Sequence, residues 1–226
     1  MLTLQYLKKY GLENLSKNFP IEIKEHSDLP LVILNYNKFS HSSPLINECK
    51  QLVIDPDDMK IVGRSFEHFR KKELKFLLDN TDTLKIQTKY KGSLIQLFYY
   101  NNRWQTITKS SFSSHPVYEN GPTWETLVSN LLPNGTHILD KNHSYIFQLV
   151  NHTQLCLLTS FNIDSGLELE DSFLDNLALN LGVNRPGTWD GEWNGEFVAK
   201  VFDKCENKYI RMKISREDYL KVLNSI

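Results

Sequence analysis

Apolar and polar residues alternate on both sides of Lys91-Gly92, a pattern typical of two β-strands joined by a hairpin turn. The first strand starts at Leu84 and ends near Lys89, and the second runs to Tyr99. Glycine lets a backbone approach phosphate closely, so a lysine on a rigid strand beside Gly92 is a candidate nucleophile or phosphate ligand. A solvated lysine in a hairpin turn is the alternative interpretation of the same pattern.

The same periodicities predict further strands and helices along the chain. The strands are expected at 31–36, 51–54, 60–66, 104–110, 144–150, 155–161, 195–202 and 208–214. The helices are expected at 1–18, 124–132, 170–181 and 216–223. Thr123 is a candidate cap for the second helix and Gly182 ends the third. This order predicts a single α+β domain over 1–226, with mainly antiparallel sheets flanked by helices.

Composition narrows the possible compartments and partners. The chain has 226 residues, a formal net charge of −1 and three widely spaced cysteines without metal-ligand spacing. It shows no signal-peptide pattern and no apolar run of membrane-spanning length, so we expect a cytoplasmic protein without a membrane partner. Because the net charge is close to zero, any contact with nucleic acid has to come from a local basic patch. Residues 67–75 are one such candidate, and Trp189 and Trp193 are candidates for an exposed stacking loop.

Seven stretches resemble, in the same order, the motifs of the nucleotidyltransferase domain of phage-type ATP-dependent RNA ligases. They lie at 47–54, 63–69, 88–94, 146–150, 161–169, 195–198 and 211–214. Thr88-Lys-Tyr-Lys-Gly-Ser-Leu94 resembles the nucleophile motif Lys-x-Asp-Gly-Ser, and the collinear order of all seven carries the resemblance. The resemblance implies the ligase adenylation fold over roughly 31–221, without the appended C-terminal domain that such ligases use to grip RNA.

The resemblance also implies a two-step covalent chemistry with ATP and Mg²⁺. Lys89 would attack the α-phosphate to form lysyl-AMP, and AMP would pass to an RNA 5′-phosphate before a 3′-hydroxyl displaces it. The position of the metal-associated glutamate points to Glu196 as a candidate metal ligand. The positions implied for nucleotide binding are Lys50, Lys91, Gly92, Lys109, Gln148, Arg211 and Lys213.

Three positions that carry a carboxylate in the family lack one here. Where the family has aspartate, this chain has Lys91, and where it has glutamate, this chain has Gln148. Gly195 occupies the position of the metal-associated glutamate, and Glu196 is the next residue along the chain. A slip of one residue turns a strand side chain to the other face, so we expect Glu196 to reach the site only through a bulge. Glu192 is a second candidate if its loop folds inward. Gln148 still offers a neutral amide to a ribose hydroxyl.

The remaining substitutions keep positive charge or change its geometry. Lys50 replaces an arginine, Arg211 replaces the outer lysine of the last motif, and His68 replaces a lysine. Lys91 would either repel Lys89 and favour its neutral form or form a phosphate clamp with it.

Three functional hypotheses follow. The first is a ligase-fold protein that binds a nucleotide or RNA phosphate in a lysine-lined cleft, with chemistry impaired by the loss of acids. The second is an active ATP-dependent RNA ligase or adenylyltransferase that uses Lys89. The third is a non-enzymatic subunit that binds a protein partner.

Overall fold

The computed structural model describes residues 1–37, 43–70, 73–109, 111–187 and 195–224. They form two compact units, the first made of Met1–His68 and Ser93–Asn184, and the second of Phe69–Gly92 and Arg185–Ile226. The interpretation of residues 1–226 as one domain stays a prediction. Glu192, Trp189 and Trp193 lie outside the described residues.

The helices and strands of the described residues follow in chain order. They are α1 (Leu2–Tyr10), α2 (Leu12–Asn18), β1 (Ile21–Glu25), β2 (Val32–Tyr36), α3 (Pro44–Glu48), β3 (Lys50–Asp55), β4 (Lys60–Gly63), α4 (Leu74–Leu78), β5 (Lys85–Thr88), β6 (Ser93–Tyr100), β7 (Arg103–Ile107), α5 (Trp124–Asn130), β8 (His143–Val150), β9 (Gln154–Asn162), α6 (Asp171–Leu181), β10 (Phe197–Asp203), β11 (Lys208–Ile214) and α7 (Arg216–Leu223).

The first unit contains two antiparallel four-stranded sheets, in the orders β1-β2-β3-β4 and β7-β6-β8-β9. The sheet β1–β4 packs against α1, α2 and α3 through a buried cluster that includes Leu7, Leu15 and Leu52. The predicted single helix over 1–18 is wrong, because Gly11 at φ +78° divides it into α1 and α2. Gly11 adopts a left-handed backbone conformation that disfavours other residues.

The sheet β7-β6-β8-β9 buries one face against α5 and α6 and the other partly against the sheet β1–β4. The predicted pairs β3–β4 and β8–β9 are confirmed as antiparallel. The Thr123 side chain accepts a hydrogen bond from the Thr126 amide at the start of α5, and Gly182 ends α6 in the left-handed conformation. Both helix ends could be predicted from the sequence because a helix cap depends on residues that are neighbours in the chain.

The second unit contains one three-stranded antiparallel sheet in the order β11-β10-β5. Its apolar face carries Phe197, Ala199 and Val201, which pack with residues of α4 and α7. Since strand residues alternate between faces, the intervening residues of β10 lie on the opposite face.

The predicted hairpin around Lys91-Gly92 is wrong. β5 pairs with β10, whereas β6 pairs with β7 and β8 in a different sheet. Alternation identifies strands but not their partners, which long-range packing selects. The predicted α+β class, with mainly antiparallel sheets flanked by helices, is confirmed. Within the described residues, the structure has no helix that is both long and apolar enough to span a membrane.

Candidate functional site

The face of the sheet β11-β10-β5 opposite its apolar core is strongly cationic. The Lys89 amide donates to the Glu196 carbonyl at 3.0 Å, one step beyond the pair Thr88–Phe197. Further along, Val198 lies opposite both Gln87 and Lys213. The regular alternation therefore gives Lys89, Glu196 and Lys213 a common face.

The Lys89 side chain forms an ion pair with Glu196 on this face. Lys89 Nζ lies 2.5 Å from Glu196 Oε2, and the two side chains are 32% and 60% exposed. The hydrogen bond from Lys89 holds the pKa of the Glu196 carboxyl below its usual range, and the charges of Lys89, Lys213 and Lys91 act in the same direction. We call Lys89, Lys91, Lys213 and Glu196 the Lys89 cluster.

The position of Glu196 corrects the expectation that a bulge is needed to bring it to Lys89. The ladder between β5 and β10 is regular from Lys85–Lys200 to Thr88–Phe197. Phe197 is fully buried in the core of the unit, which directs its neighbour Glu196 to the face of Lys89. The burial of one aromatic residue thus decides the register.

Lys91 and Gly92 follow β5 and are both exposed. Gly92 has φ +142°, a region that glycine adopts readily and other residues rarely adopt. The backbone can therefore turn sharply just after the lysine pair.

Lys50, Lys109 and Gln148 belong to the first unit, and their surroundings are described there. Lys50 Nζ lies 5.3 Å from the centroid of the Phe66 ring, a cation–π distance. Lys109 is exposed, and its backbone carbonyl accepts a hydrogen bond from Asn35 Nδ2 at 2.7 Å. Gln148 Nε2 is buried without a hydrogen-bond partner among the described residues, so it has an unused donor.

Sequence reasoning missed Lys200 and Lys85. Lys200 is 1% exposed, lies opposite both Arg211 and Lys85 in the sheet, and places its ammonium 3.9 Å from the centroid of the Tyr209 ring. A fully buried lysine is rare. The available signal was spacing, because Lys200 follows Glu196 at an even interval on the same predicted strand.

A divalent cation fits this site only in part. Glu196 provides one carboxylate, and no cluster of three or more His, Cys, Asp or Glu side chains occurs in the described ranges. Mg²⁺ commonly binds proteins through one or two carboxylates together with substrate phosphates. Glu196 and a bound phosphate would therefore be the ligands available here.

Comparisons with known proteins show what the chain as a whole is similar to. No family model matches the chain. The chain is 28% identical over 162 residues to a protein of Autographa californica nuclear polyhedrosis virus that is provisionally named a bifunctional polynucleotide kinase/RNA ligase. The match covers 66% of this chain and 23% of the viral protein, so the chain spans about a quarter of the length of that relative.

Solved structures of Naegleria gruberi RNA ligase are also similar. A mutant of that ligase with ATP and Mn has a TM-score of 0.48 at 12% identity, covering 70% of this chain and 59% of the other. The ligase with PPi has a TM-score of 0.47 at 10% identity, covering 85% and 66%. The sequence similarity to the viral protein confirms the resemblance to RNA-ligase-type proteins that was predicted from the motifs.

Proposed function

We propose that the chain is an RNA-ligase-like protein that binds phosphate groups of a nucleotide or RNA through the Lys89 cluster. The observation that carries the proposal is the ion pair of Lys89 with Glu196, on a sheet face that Lys213 shares and within range of the charge of Lys91. Three ammonium groups against one carboxylate leave a net charge of about +2, which attracts a phosphate. The similarity to a viral polynucleotide kinase/RNA ligase supports this class of ligand.

Each charged group has a definite part in binding. Lysine ammonium groups act as compact point charges with three donors each, so they suit the oxygens of a phosphate. At about 4 Å, one unit charge pair in water contributes roughly 1 kcal/mol, and partial burial raises this value. Lys89 is only 32% exposed, so it is the member whose interaction gains most from lowered solvent screening.

The second candidate function is nucleotidylation of Lys89, because the ion pair places a carboxylate that can accept a proton beside the Lys89 nitrogen. Lys89 would transfer a proton from Nζ to Glu196, and Nζ would attack the α-phosphorus of ATP. The N–P bond would form as the bond to the pyrophosphate oxygen breaks, and pyrophosphate would leave with that electron pair. The nitrogen would then lose its second proton to solvent, which leaves a neutral phosphoramidate nitrogen. A Mg²⁺ or Mn²⁺ ion held by Glu196 and phosphate oxygens would supply stabilisation of the developing negative charge.

We favour phosphate binding over nucleotidylation of Lys89 because the Lys89 nitrogen donates a hydrogen bond to Glu196. An amine attacks phosphorus only through a free electron pair. The acidity of Glu196, which its lysine neighbours increase, also makes it a weak proton acceptor. Both features suit electrostatic binding better than rapid covalent transfer.

Two assays test these functions. Isothermal titration with pyrophosphate is expected to show binding that Lys89→Ala and Lys213→Ala weaken, while Lys204→Ala, whose side chain pairs with Asp82, leaves it unchanged. Equal binding by all three variants would refute the proposal. Incubation with α-labelled ATP and Mg²⁺ or Mn²⁺, followed by denaturing electrophoresis, tests the second function. A covalent label that disappears in Lys89→Ala would support it, and no label in the wild type would end it.

A further inference from the structure

We propose that His26 is a pH-sensitive switch in the first unit, which holds the loop 26–31 closed at neutral pH and opens it in mildly acidic solution. The loop connects β1 to β2, and Pro30 within it lines a cavity. The proposal does not depend on phosphate binding by the Lys89 cluster, because the loop and the cavity both belong to the first unit.

The backbone of the loop folds around the His26 ring. His26 Nδ1 accepts a hydrogen bond from the Asp28 amide at 2.9 Å and a second one from the Leu29 amide at 3.2 Å. The His26 amide donates in turn to the Leu31 carbonyl at 2.8 Å, which closes the loop at its other end. Backbone amides can only donate, so Nδ1 presents its lone pair and the proton of the neutral ring is on Nε2. The closed loop therefore requires one tautomer of the neutral imidazole.

Protonation of His26 removes the acceptor that the loop needs. Because Nε2 already carries a proton, the second proton has to bind at Nδ1, which then becomes a donor that faces two other donors. The amides of Asp28 and Leu29 lose their partner, and a donor left without an acceptor is unfavourable. In an open loop, both amides and both ring nitrogens bind water instead. The charged ring thus favours the open loop.

The surroundings of the ring also favour its neutral form. The His26 ring packs edge-on against the ring of Phe112, with centroids 4.6 Å apart at an angle of 66°. Burial lowers the pKa of His26; the Asp28 carboxylate opposes this effect, and the positive charges of Arg103 and His115 add to it. In an open loop the ring returns to water and to its ordinary pKa of about 6.5. Since the open loop binds the proton more readily, the closed loop becomes less stable as the pH falls below about 6.5.

Opening of the loop changes one wall of the cavity. The cavity has a volume of about 640 Å³, and Pro30 lines it together with Asp55, Lys60 and Tyr100. The Tyr100 hydroxyl donates to Asp55 at 2.7 Å, so these two residues are held in place by a contact outside the loop. Pro30 directly follows Leu29, whose amide is one of the two that bind His26. Release of that amide therefore frees the Pro30 wall and leaves the wall of Asp55 and Tyr100 intact.

Hydrogen exchange measured by NMR tests the switch. Between about pH 7.5 and about pH 5.5, the protection factors of the Asp28 and Leu29 amides are expected to fall about two- to tenfold. The amides of the buried strand β2 are expected to keep their protection, which separates local opening from unfolding of the unit. The signals of Tyr100 are expected to shift over the same pH range, because the wall opposite to it moves.

The variant His26→Asn separates hydrogen bonding from titration. The carbonyl oxygen of an asparagine side chain accepts bonds from the amides that follow it, as in an Asx turn, but it does not bind a proton in this pH range. His26→Asn is expected to keep protection within about twofold of the wild type near pH 7.5 and to lose the pH dependence. His26→Ala, which lacks an acceptor, is expected to lose protection at both pH values. His137→Asn is the matched control, since it removes an exposed histidine of the same unit and should keep the wild-type profile.

Three results would contradict the switch. Equal pH profiles in the wild type and His26→Asn would assign the effect to another group and overturn the proposal. A neutral His26 ring that carries its proton on Nδ1 in nitrogen NMR spectra would overturn it as well. Tyr100 signals that stay constant while the loop opens would overturn the link to the cavity.

Discussion

Replacing Glu196 with glutamine is the most informative single change in this protein. The Glu196 carboxylate forms an ion pair with the Lys89 ammonium at 2.5 Å, so an incoming phosphate has to compete with it for Lys89. Glutamine keeps the shape and a hydrogen-bond acceptor but removes the charge. We expect Glu196→Gln to bind pyrophosphate more tightly than the wild type when no divalent cation is present.

The expected gain follows from the exposure of the pair. Side chains that are 32% and 60% exposed form a partly solvated ion pair, and such pairs contribute about 0.2–1 kcal/mol. If Glu196→Gln removes this ion-pair energy from the cost of binding, pyrophosphate should bind roughly 1.4- to 5-fold more tightly to the variant than to the wild type. The gain should shrink as salt rises, because the Debye length falls from about 30 Å at 0.01 M to about 8 Å at 0.15 M.

Isothermal titration with pyrophosphate in a chelator at low salt measures this effect. Glu206→Gln is the matched control, because it causes the same change in net charge on the same unit and removes a carboxylate that pairs with Arg70 and Lys208. Glu196→Gln binding no tighter than Glu206→Gln would refute local competition. Added Mg²⁺ provides a second readout, since the variant lacks the carboxylate that would hold the ion and should gain less from it.

Three further predictions concern stability. Gly63→Ala should destabilise the protein by about 1–3 kcal/mol in a denaturant titration, because the new Cβ would lie 2.6 Å from Gln96 Nε2, whereas Gly187→Ala, with 3.8 Å to its nearest neighbour, should cost much less. Burial raises the pKa of Tyr145 to about 12, so the folded state keeps a proton that the unfolded state loses above its ordinary pKa near 10. Stability should therefore fall by roughly 2–3 kcal/mol between pH 10 and 12, and Tyr145→Phe should remove that part of the pH dependence in thermal melts; an identical profile would contradict this reasoning. Ser215→Ala should cost about 1 kcal/mol, because Ser215 caps α7 in a reciprocal capping box; an unchanged midpoint of unfolding would show that the cap is dispensable.

Local sequence signals predicted those elements that depend on neighbouring residues. The helix α7 was predicted at its observed bounds, 216–223, and the strand β11 at 208–214. Short elements such as α3 and α4, which have five residues each, were missed because five residues hold little more than one helical period. Lys89 was a candidate because it lies at the end of a predicted strand beside Gly92 and because its surroundings in the sequence resemble a ligase motif; its neighbours in space are decided by the sheet.

The sequence by itself determined the α+β class, most strand positions and the order of motifs that resembles RNA ligases, because periodicity and collinear order are properties of the chain alone. Only the tertiary structure decided that β5 pairs with β10, that Glu196 faces Lys89, and that Lys200 is buried between two other cations. An alternating pattern states which residues share a face, but it does not state which strand lies beside it. The partner and the register depend on burying residues such as Phe197, and that is a property of the packed core.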